Sequence, residues 1–428
     1  MTLRSDRYGL PLSTSTAAAD AYVRAADRLL AAGSELMAGF DQALALDPGF
    51  ALAQIGRARC LATYGRGAEA RAAAASARVL AAPASARERS HVEALALVVE
   101  GRGVEALAAI TAHLEVYPRD ALVLQPATGI FGLIGFSGRM EREQEFLGLM
   151  DRLAPDYGDD WWFISIHAFA ECEAGRVDAA GERVARALAA APHNANAAHV
   201  QAHVYYELQQ AEAGAVFLRQ WLSAYSPQGL LRGHLSWHLA LLELGLGNSA
   251  AAWALYHREI GAPLHGSGPL TPPLNILTDI ASWLWRAELH GSTGGAADWQ
   301  PLSRYAQQFF PQAGIAFGDI HAALAHARSG GAVTMQQLLA GLTQLSGERP
   351  ACAAAAAFAA GFAAHARSDW VSAAALLSSR HAEAVRVGGS HAQRELIDRT
   401  LLDAVDHLGD AEAKRALLLQ RPHVASGV

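Results

Sequence analysis

The chain has 428 residues, of which 52% are hydrophobic, and its formal net charge is −7. So long a chain exceeds one compact core of ordinary size unless it is built from repeats, because each repeat of a solenoid needs to contact only its neighbours. The negative net charge argues against an electrostatic nucleic-acid binder, which needs a basic face.

Cysteine, lysine and apolar residues exclude further classes of protein. Cys60, Cys172 and Cys352 are far apart, so we expect neither a disulfide framework nor a zinc knuckle. Lys414 is the only lysine, which excludes a P-loop lysine and argues against a Schiff-base cofactor. Residues 1–12 lack an apolar signal-peptide core, and no stretch approaches about 18 apolar residues. We therefore expect a soluble, cytoplasmic protein with no membrane partner and no organic cofactor.

Proline recurs at a regular interval along the first half of the chain. Pro118, Pro155, Pro192 and Pro227 are 37, 37 and 35 residues apart, and Pro48 has the same setting earlier. Each follows a helical stretch, and since proline cannot continue a helix interior, each marks the end of a repeat's second helix. A period of about 34 residues is typical of tetratricopeptide repeats. We therefore predict an all-α fold, a tetratricopeptide-like helical-repeat superhelix (α-solenoid).

Glycine marks a second break inside each repeat. Gly175 and Gly247 each stand between two helical stretches, and the glycines of segments 100–103 and 135–139 occupy equivalent places. Glycine permits the left-handed conformation that closes a helix. The pattern therefore predicts two antiparallel helices in each repeat.

These signals divide the chain into four parts. We predict an N-terminal helical cap at 1–40, regular helix-pair repeats at 41–260, and divergent repeats with a C-terminal cap at 276–428. Between them, residues 261–275 form a proline- and glycine-rich segment that cannot be helical and is long for a helix–helix connection. It is either a lid over the concave face or a tolerated insertion. No segment has the pattern of a β-strand.

Histidines recur in step with the repeat. His167, His203 and His238 are 36 and 35 residues apart, and His199 and His234 are 35 apart. All five fall on first helices, which line the concave face of such repeats, so residues one repeat apart become neighbours. The pairs His199/His203 and His234/His238 are also spaced (i, i+4), which puts each pair on one face of its helix.

Three interpretations of this pattern compete. The first is a metal site, whose ligands would be His199, His203, His234 and His238, although no His-Glu-x-x-His motif occurs. The second is acid–base or binding work in a small-molecule pocket, because histidine titrates near neutrality. The third is structural, with imidazoles satisfied by neighbouring groups or solvated in a groove.

Other polar and aromatic residues lie on predicted first helices. Asp319 and His321 are two positions apart, so their side chains diverge and we expect them to have different partners. Gln393 stands three residues after Ser390, as in a capping box. The further candidates for the same face are Trp237, Asp279, Arg286 and Arg394.

Arg394 has two interpretations that the sequence leaves open. Its guanidinium group is able to bind a substrate carboxylate as a bidentate fork. Alternatively, it forms a surface ion pair with Glu395 or Asp398.

Several segments resemble one known family. The stretches at 87–92, 198–204, 234–240, 317–321 and 388–395 are similar to those of tetratricopeptide repeat protein 38 and its bacterial relatives, and the resemblance spans about residues 40 to 410. It implies a helical-repeat superhelix of poorly defined molecular function. Matching positions imply these site residues: His199, His203, His234, His238, Asp319, His321, Gln393 and Arg394. Relatives tend to carry an acidic residue where this chain has Tyr206, followed by Glu207.

We therefore predict a small-molecule-binding protein, an enzyme of hydrolase or lyase type that is cofactor-independent or metal-assisted. Its predicted catalytic residues are His203, His238, Asp319 and His321, with Asp319 orienting a histidine or polarising water. The predicted ligand-binding residues are His167, His199, His234, Trp237, Asp279, Arg286, Gln393 and Arg394. The alternative is a non-catalytic adaptor that binds a peptide or protein partner in its groove. Whether the chain forms a homodimer is left open.

Overall fold

The computed structural model describes residues 4–292 and 295–420, which are helical over most of their length. Two strands of two residues each, β1 (Arg4–Ser5) and β2 (Pro11–Leu12), pair antiparallel near the N-terminus. The Asp6 carboxylate accepts the backbone N–H groups of Tyr8 and Leu10 and so holds the turn between them. The sequence did not predict this hairpin, because strands of two residues are too short to show an alternating pattern.

The described residues fall into two compact units, neither of which is continuous along the chain. The first comprises described residues within Met1–Ile134, Gln144–Val200 and Tyr225–Leu231. The second comprises those within Gly135–Glu143, Gln201–Ala224 and Arg232–Val428. Within residues 4–292 and 295–420, no helix is both long and apolar enough to cross a membrane.

Ten helices lie wholly or mainly in the first unit. They are α1 (Thr16–Leu30), α2 (Leu36–Leu46), α3 (Ala51–Thr63), α4 (Gly67–Ala81), α5 (Ala86–Val99), α6 (Gly103–Val116), α7 (Ala121–Leu124), α8 (Arg142–Tyr157), α9 (Trp161–Glu173) and α10 (Val177–Ala190). The next helix, α11 (Ala195–Glu207), begins in the first unit and ends in the second.

The helices of the second unit follow in chain order. They are α12 (Ala211–Ala224), α13 (Arg232–Gly245), α14 (Ser249–Leu255), α15 (Pro273–Leu289), α16 (Trp299–Phe309), α17 (Ala316–Arg328), α18 (Ala332–Leu345), α19 (Pro350–Ala366), α20 (Trp370–Ser379), α21 (His391–His407) and α22 (Ala411–Gln420). A π-helical turn at Tyr256–Ile260 extends α14. Short 3₁₀ turns lie at Gln125–Ala127, Ala262–His265, Ala296–Asp298 and His381–Val387.

The helix pairs confirm the predicted all-α, tetratricopeptide-like repeats. Helices α2, α6, α10 and α12 each end two or three residues before one of the periodic prolines. The φ angles of Gly101, Gly175 and Gly247 are 75°, 81° and 78°, and one residue separates each glycine from the end of α5, α9 or α13. These left-handed residues reverse the chain so that each second helix runs antiparallel to its first.

Three details of the predicted pattern were wrong. Pro155 does not end its helix but lies within the last turn of α8, which continues to Tyr157. The first helix of the repeat that follows Pro118 is only the four-residue α7. The segment 261–275 is partly helical, because it contains a 3₁₀ turn and the start of α15 at Pro273. Proline is tolerated at a helix start since the N–H it lacks has no intrahelical partner there.

A buried ionic cluster lies in the core of the first unit. The Asp120 carboxylate accepts hydrogen bonds from Arg87 Nη1 at 2.9 Å, His91 Nδ1 at 2.9 Å and His113 Nε2 at 3.2 Å. All four side chains are buried. Burial alone raises the pKa of Asp120, but His91, His113 and Arg87 outweigh it and hold that pKa well below its usual range.

The first helices of the second unit are buried on all sides. Burial is continuous from residue 233 to 244 in α13, from 276 to 287 in α15 and from 316 to 326 in α17. In α21 it runs from residue 392 to 401. Because burial on every face places polar side chains away from water, those on these helices need partners within the protein.

Candidate functional site

Most of the predicted site residues belong to the second unit. His203 lies near the end of α11, and the others lie on the buried stretches of four helices. These are His234, Trp237 and His238 on α13, Asp279 and Arg286 on α15, Asp319 and His321 on α17, and Gln393 and Arg394 on α21. His167 on α9 and His199 on α11 belong to the first unit.

Three imidazoles meet in the interior of the second unit. The ring centroid of His238 is 4.7 Å from that of His203 and 4.8 Å from that of His234. Both contacts are edge-to-face, with interplanar angles of 68° and 82°. The exposed fractions are 0% for His203, 4% for His234 and 2% for His238. The repeat spacing and the (i, i+4) pairing predicted that these histidines share a surface. In the structure the His238 ring directly contacts the other two.

An aspartate orients one of the three rings. His234 Nδ1 lies 3.0 Å from both carboxylate oxygens of Asp279, which is itself 3% exposed. A carboxylate in this position favours the tautomer with the proton on Nδ1, so the lone pair is on Nε2. Asp279 is thus a positioning residue for His234.

Trp237 and Arg286 adjoin the histidines. The Trp237 ring stacks on His234 at 5.4 Å between centroids and 9° between planes, and it meets His238 edge-on at 4.9 Å. The Arg286 guanidinium carbon lies 5.9 Å from the Trp237 ring centroid. Arg286, which is 1% exposed, also donates to the Ala392 carbonyl. The predicted aromatic residue therefore lies between the histidines and a buried positive charge.

Burial determines the protonation of His203. Loss of solvent, with smaller contributions from His234 and His391, lowers the pKa of His203 to about 3. The imidazole is therefore neutral at physiological pH and carries both a donor and an acceptor. A neutral ring is suited to polarising or orienting a bound molecule, but with this pKa it is a weak base.

Asp319 and His321 have different partners, as their spacing predicted. Asp319 Oδ2 accepts the backbone N–H of Gly314 at 2.9 Å, while His321 Nδ1 donates to the Phe317 carbonyl at 2.7 Å. Burial raises the pKa of Asp319 to about 7. For His321, burial is the main cause that lowers the pKa to about 4, and Arg286 adds to it.

Gln393 and Arg394 anchor the start of α21. Gln393 forms the predicted capping box with Ser390. The predicted surface pairing of Arg394 was wrong, because this side chain is only 5% exposed. It donates to Glu143 Oε1 at 2.5 Å and to the Gly389 carbonyl. Glu143 also lies near His391, with 3.6 Å between Oε2 and Nε2.

Arg399 and Glu395 lie beside the candidate site but were not among the predicted site residues. Arg399 Nη2 donates to Glu395 Oε1 at 3.0 Å, and Glu395 Oε2 lies 4.0 Å from Arg286 Nη1. An (i, i+4) pair of opposite charges on one helix is readable from sequence, so this pair was detectable. Its contact with Arg286 was not, because that residue lies on another helix.

A cavity of about 190 Å³ opens beside Arg286 in the second unit. Its lining residues lie on α15, α21 and α22 or, for His290, directly after α15: Arg286, Leu289, His290, Arg399, Leu402, Asp403, Asp406 and Lys414. Arg286 thus contacts Trp237, which packs against His234 and His238, and also lines this cavity.

No family model matches the chain. Two solved structures overlap it at low similarity. The structure of Naa15/Naa10 bound to HypK-THB is 13% identical with a TM-score of 0.25, over 96% of this chain and 65% of that chain. The crystal structure of yeast Tom70 is 11% identical with a TM-score of 0.30, over 94% of this chain and 91% of that chain. At these TM-scores neither similarity bears on what this chain binds or does.

Proposed function

We propose that the second unit binds a small molecule and acts on it by acid–base chemistry at His234 and His238, with His203 as a hydrogen-bond donor. The observation that carries the proposal is the contact of the three rings at 4.7 and 4.8 Å in a buried interior. Surface histidines and lone core histidines are common, but here the buried His238 ring contacts two other buried imidazoles, and a carboxylate holds one of these, His234. Such clusters are characteristic of sites that transfer protons.

Each histidine has a distinct role in this proposal. His234 accepts a proton from the bound molecule or from water, because the Asp279 carboxylate stabilises the positive charge that the ring then gains. His203 stays neutral and donates a hydrogen bond to the bound molecule. The His238 ring contacts both of the others. As it donates a proton to the leaving group it takes up the proton that His234 has gained, so both rings end neutral and the hydrolase- or lyase-type reaction is complete.

The burial of the first helices favours this proposal over the adaptor alternative. A peptide ligand of a helical repeat needs an exposed face on the helices that line the groove. In α13, α15 and α17 the residues from 233 to 244, 276 to 287 and 316 to 326 are all buried. These helices therefore offer a peptide no exposed face along these stretches.

Turnover by purified protein tests the proposal. Wild type is assayed with p-nitrophenyl acetate, p-nitrophenyl phosphate and a panel of small hydroxy and amino acids, in which elimination is followed by the absorbance of the new double bond. We expect turnover of at least one compound and a loss of about 10²- to 10⁴-fold in His238→Ala. His326→Ala is the matched control, because His326 is a buried histidine of the same unit that bonds Ser303.

The opposite results would remove the proposal. They are a wild-type protein that turns over no compound of the panel, or a His238→Ala variant as active as wild type. The first result would favour the adaptor alternative, whereas the second, with His326→Ala also unchanged, would place the chemistry away from His238.

A metal-assisted form of the same chemistry is a second candidate, favoured by the contact between Asp279 and His234. A histidine that binds a metal usually donates its other ring N–H to a carboxylate. His234 and His238, whose ring nitrogens lie within 4.8 Å of one another, would be the ligands from the second unit. Elemental analysis should then find stoichiometric metal in wild type and little in His234→Ala. A metal-free, active wild-type protein would remove this candidate and leave the acid–base form.

A further inference from the structure

Two buried hydrogen-bond donors of the second unit lie unpaired near the histidines. Among the described residues, the Trp237 indole Nε1 and the Ser282 hydroxyl have no hydrogen-bond partner. The exposed fractions of these two side chains are 0% and 2%. A buried donor that is left unpaired costs about 1–3 kcal/mol, and folded proteins retain few of them. The two donors therefore indicate that a further group binds here.

Helix geometry places Ser282 next to Trp237. Ser282 follows Asp279 by three residues and precedes Arg286 by four on α15, so the three side chains share one face of that helix. Asp279 contacts His234 of α13, and the Arg286 guanidinium carbon lies 5.9 Å from the Trp237 ring centroid on the same helix. Ser282 lies between these two contacts and therefore faces the same part of α13. Arg286 connects this region to the cavity of about 190 Å³ that it also lines.

The chemistry of the two donors defines the group that they would bind. An indole N–H is only able to donate, so its partner has to be an acceptor. The charged side chains nearby already have polar partners, because Asp279 is bonded by His234 and Arg286 Nη1 lies 4.0 Å from Glu395 Oε2. The best match is therefore a neutral acceptor with two lone pairs on one atom, and a carbonyl oxygen is such an acceptor.

We propose that the Trp237 indole N–H and the Ser282 hydroxyl bind the carbonyl oxygen of an acyl substrate, an ester or a carboxamide, beside His234 and His238. The Trp237 ring contacts both imidazoles, with centroid distances of 5.4 and 4.9 Å. Donors fixed in a buried site stabilise the negative charge that develops on this oxygen in the transition state. The inference rests on the proposed function for the reaction, but not for the binding of the carbonyl group.

The reaction balances without a further reactant except water. His234 takes a proton from water as the water oxygen bonds to the acyl carbon, and the carbonyl oxygen gains the negative charge. When the carbonyl re-forms, the bond to the leaving group breaks and His238 protonates that group. The proton on His234 passes to His238, so the products are a carboxylic acid and an alcohol or amine, and both histidines end unchanged.

Indole ¹H–¹⁵N spectra of the full chain test the binding, with acetamide as the probe. The Trp237→Phe variant lacks one indole resonance and so assigns it. In wild type this resonance should move downfield as acetamide is added, because its N–H gains an acceptor. A Trp237 resonance that stays in place throughout the titration would overturn the inference.

The Trp283 indole provides a matched control in the same spectra. Trp283 is also 0% exposed, and among the described residues its Nε1 has no partner either. Its ring packs against Trp253 and Tyr256 instead of the histidines. The resonance that Trp283→Phe removes should therefore not move with acetamide.

Turnover of p-nitrophenyl acetate and p-nitrophenyl phosphate tests the role in catalysis. We expect the acetate and not the phosphate to be a substrate, and Ser282→Ala to lower kcat for it by about 10²- to 10³-fold with a smaller effect on KM. Trp237→Phe should lose a similar factor, while Trp283→Phe should be as active as wild type. Ser282→Ala should not lower the thermal midpoint, since it removes an unpaired buried hydroxyl.

The outcomes separate this inference from the proposed function. A wild type that binds acetamide through Trp237 but turns over no compound would remove the proposed function and keep the carbonyl site. Turnover of the phosphate alone would overturn the inference and keep the histidine chemistry. Full turnover of the acetate by folded Trp237→Phe and Ser282→Ala variants would do the same.

Discussion

His234 and Asp279 form a buried pair in which one ring nitrogen lies 3.0 Å from both carboxylate oxygens. The pair joins α13 to α15 across the irregular segment between them. The carboxylate is 3% exposed and the ring 4%, so the pair is shielded from water. It therefore fixes both the tautomer of His234 and the orientation of its ring towards His238.

Replacing Asp279 with alanine should destabilise the second unit by about 1–3 kcal/mol, because a buried Nδ1–H loses its acceptor. Asp279→Asn should cost less, since the amide oxygen still accepts. The free energy of unfolding in urea measures the loss, and long-range ¹H–¹⁵N spectra should show the Nδ1–H tautomer of His234 depleted in the alanine variant. His265→Ala, which breaks a pair with a half-exposed imidazole, should change stability by less than about 1 kcal/mol. Equal losses in the two alanine variants would contradict this role.

The depressed pKa of His203 predicts an acid-sensitive second unit. Its pKa is about 3 in the folded protein and 6.5 in the reference state, so below pH 6.5 the unfolded chain binds the extra proton. Stability from the neutral ring is complete above pH 6.5 and is lost as pH falls towards 3. Between pH 7 and 4.5 the loss amounts to roughly 2–3 kcal/mol.

His203→Gln should remove that share of the acid sensitivity, because glutamine does not titrate. The measurement is the difference in unfolding free energy between pH 7 and pH 4.5 for wild type and variant. His265→Gln is the control, since that side chain is 52% exposed and its substitution should leave the difference unchanged. An unaltered pH dependence in His203→Gln would show that the buried ring is not the titrating group.

The fold was predictable because its signals are local. Proline restricts the backbone at its own position and glycine permits the left-handed conformation at its own, so Pro192 and Gly175 mark helix ends locally. Where an element depended on its neighbours, the prediction failed. Pro155 is accommodated in the last turn of α8, and the hairpin of residues 4–12 is too short to carry a pattern.

The candidate site was predictable only as far as the repeat register extends. His203 and His238 are one repeat apart on successive first helices, so the period alone placed them together. Asp279 lies 45 residues after His234, beyond the irregular segment that breaks the period, and no spacing rule connects them. Glu143 is 251 residues from Arg394, so their contact depends on the folding of the whole second unit.

Asp319 should destabilise the protein at alkaline rather than acid pH. Burial raises its pKa to about 7 from 3.8, so the folded state holds a proton that the unfolded chain releases. Stability from the protonated form is complete below pH 3.8 and is lost as pH rises through 7. Between pH 5 and pH 8 the loss is roughly 2–3 kcal/mol.

Asp319→Asn should abolish this alkaline loss, because the neutral amide still accepts the Gly314 N–H and carries no charge. Unfolding free energies at pH 5 and pH 8 measure the effect. The exposed Asp410→Asn serves as a comparison that should retain the wild-type pH dependence. If Asp319 also polarises water for catalysis, Asp319→Asn would lose turnover as well as alkaline sensitivity. Turnover measured on the same samples therefore distinguishes the two roles.

The first unit should depend strongly on Asp120. Its carboxylate accepts from Arg87, His91 and His113, all buried, so Asp120→Ala leaves an uncompensated buried guanidinium and two imidazoles without their acceptor. Loss of one partner from a buried pair costs about 3–5 kcal/mol. Thermal unfolding followed by circular dichroism should show a large downward shift of the midpoint. Asp41→Ala, which breaks the exposed pair with Arg57, should cost no more than about 1 kcal/mol, and equal shifts would refute the central role of Asp120.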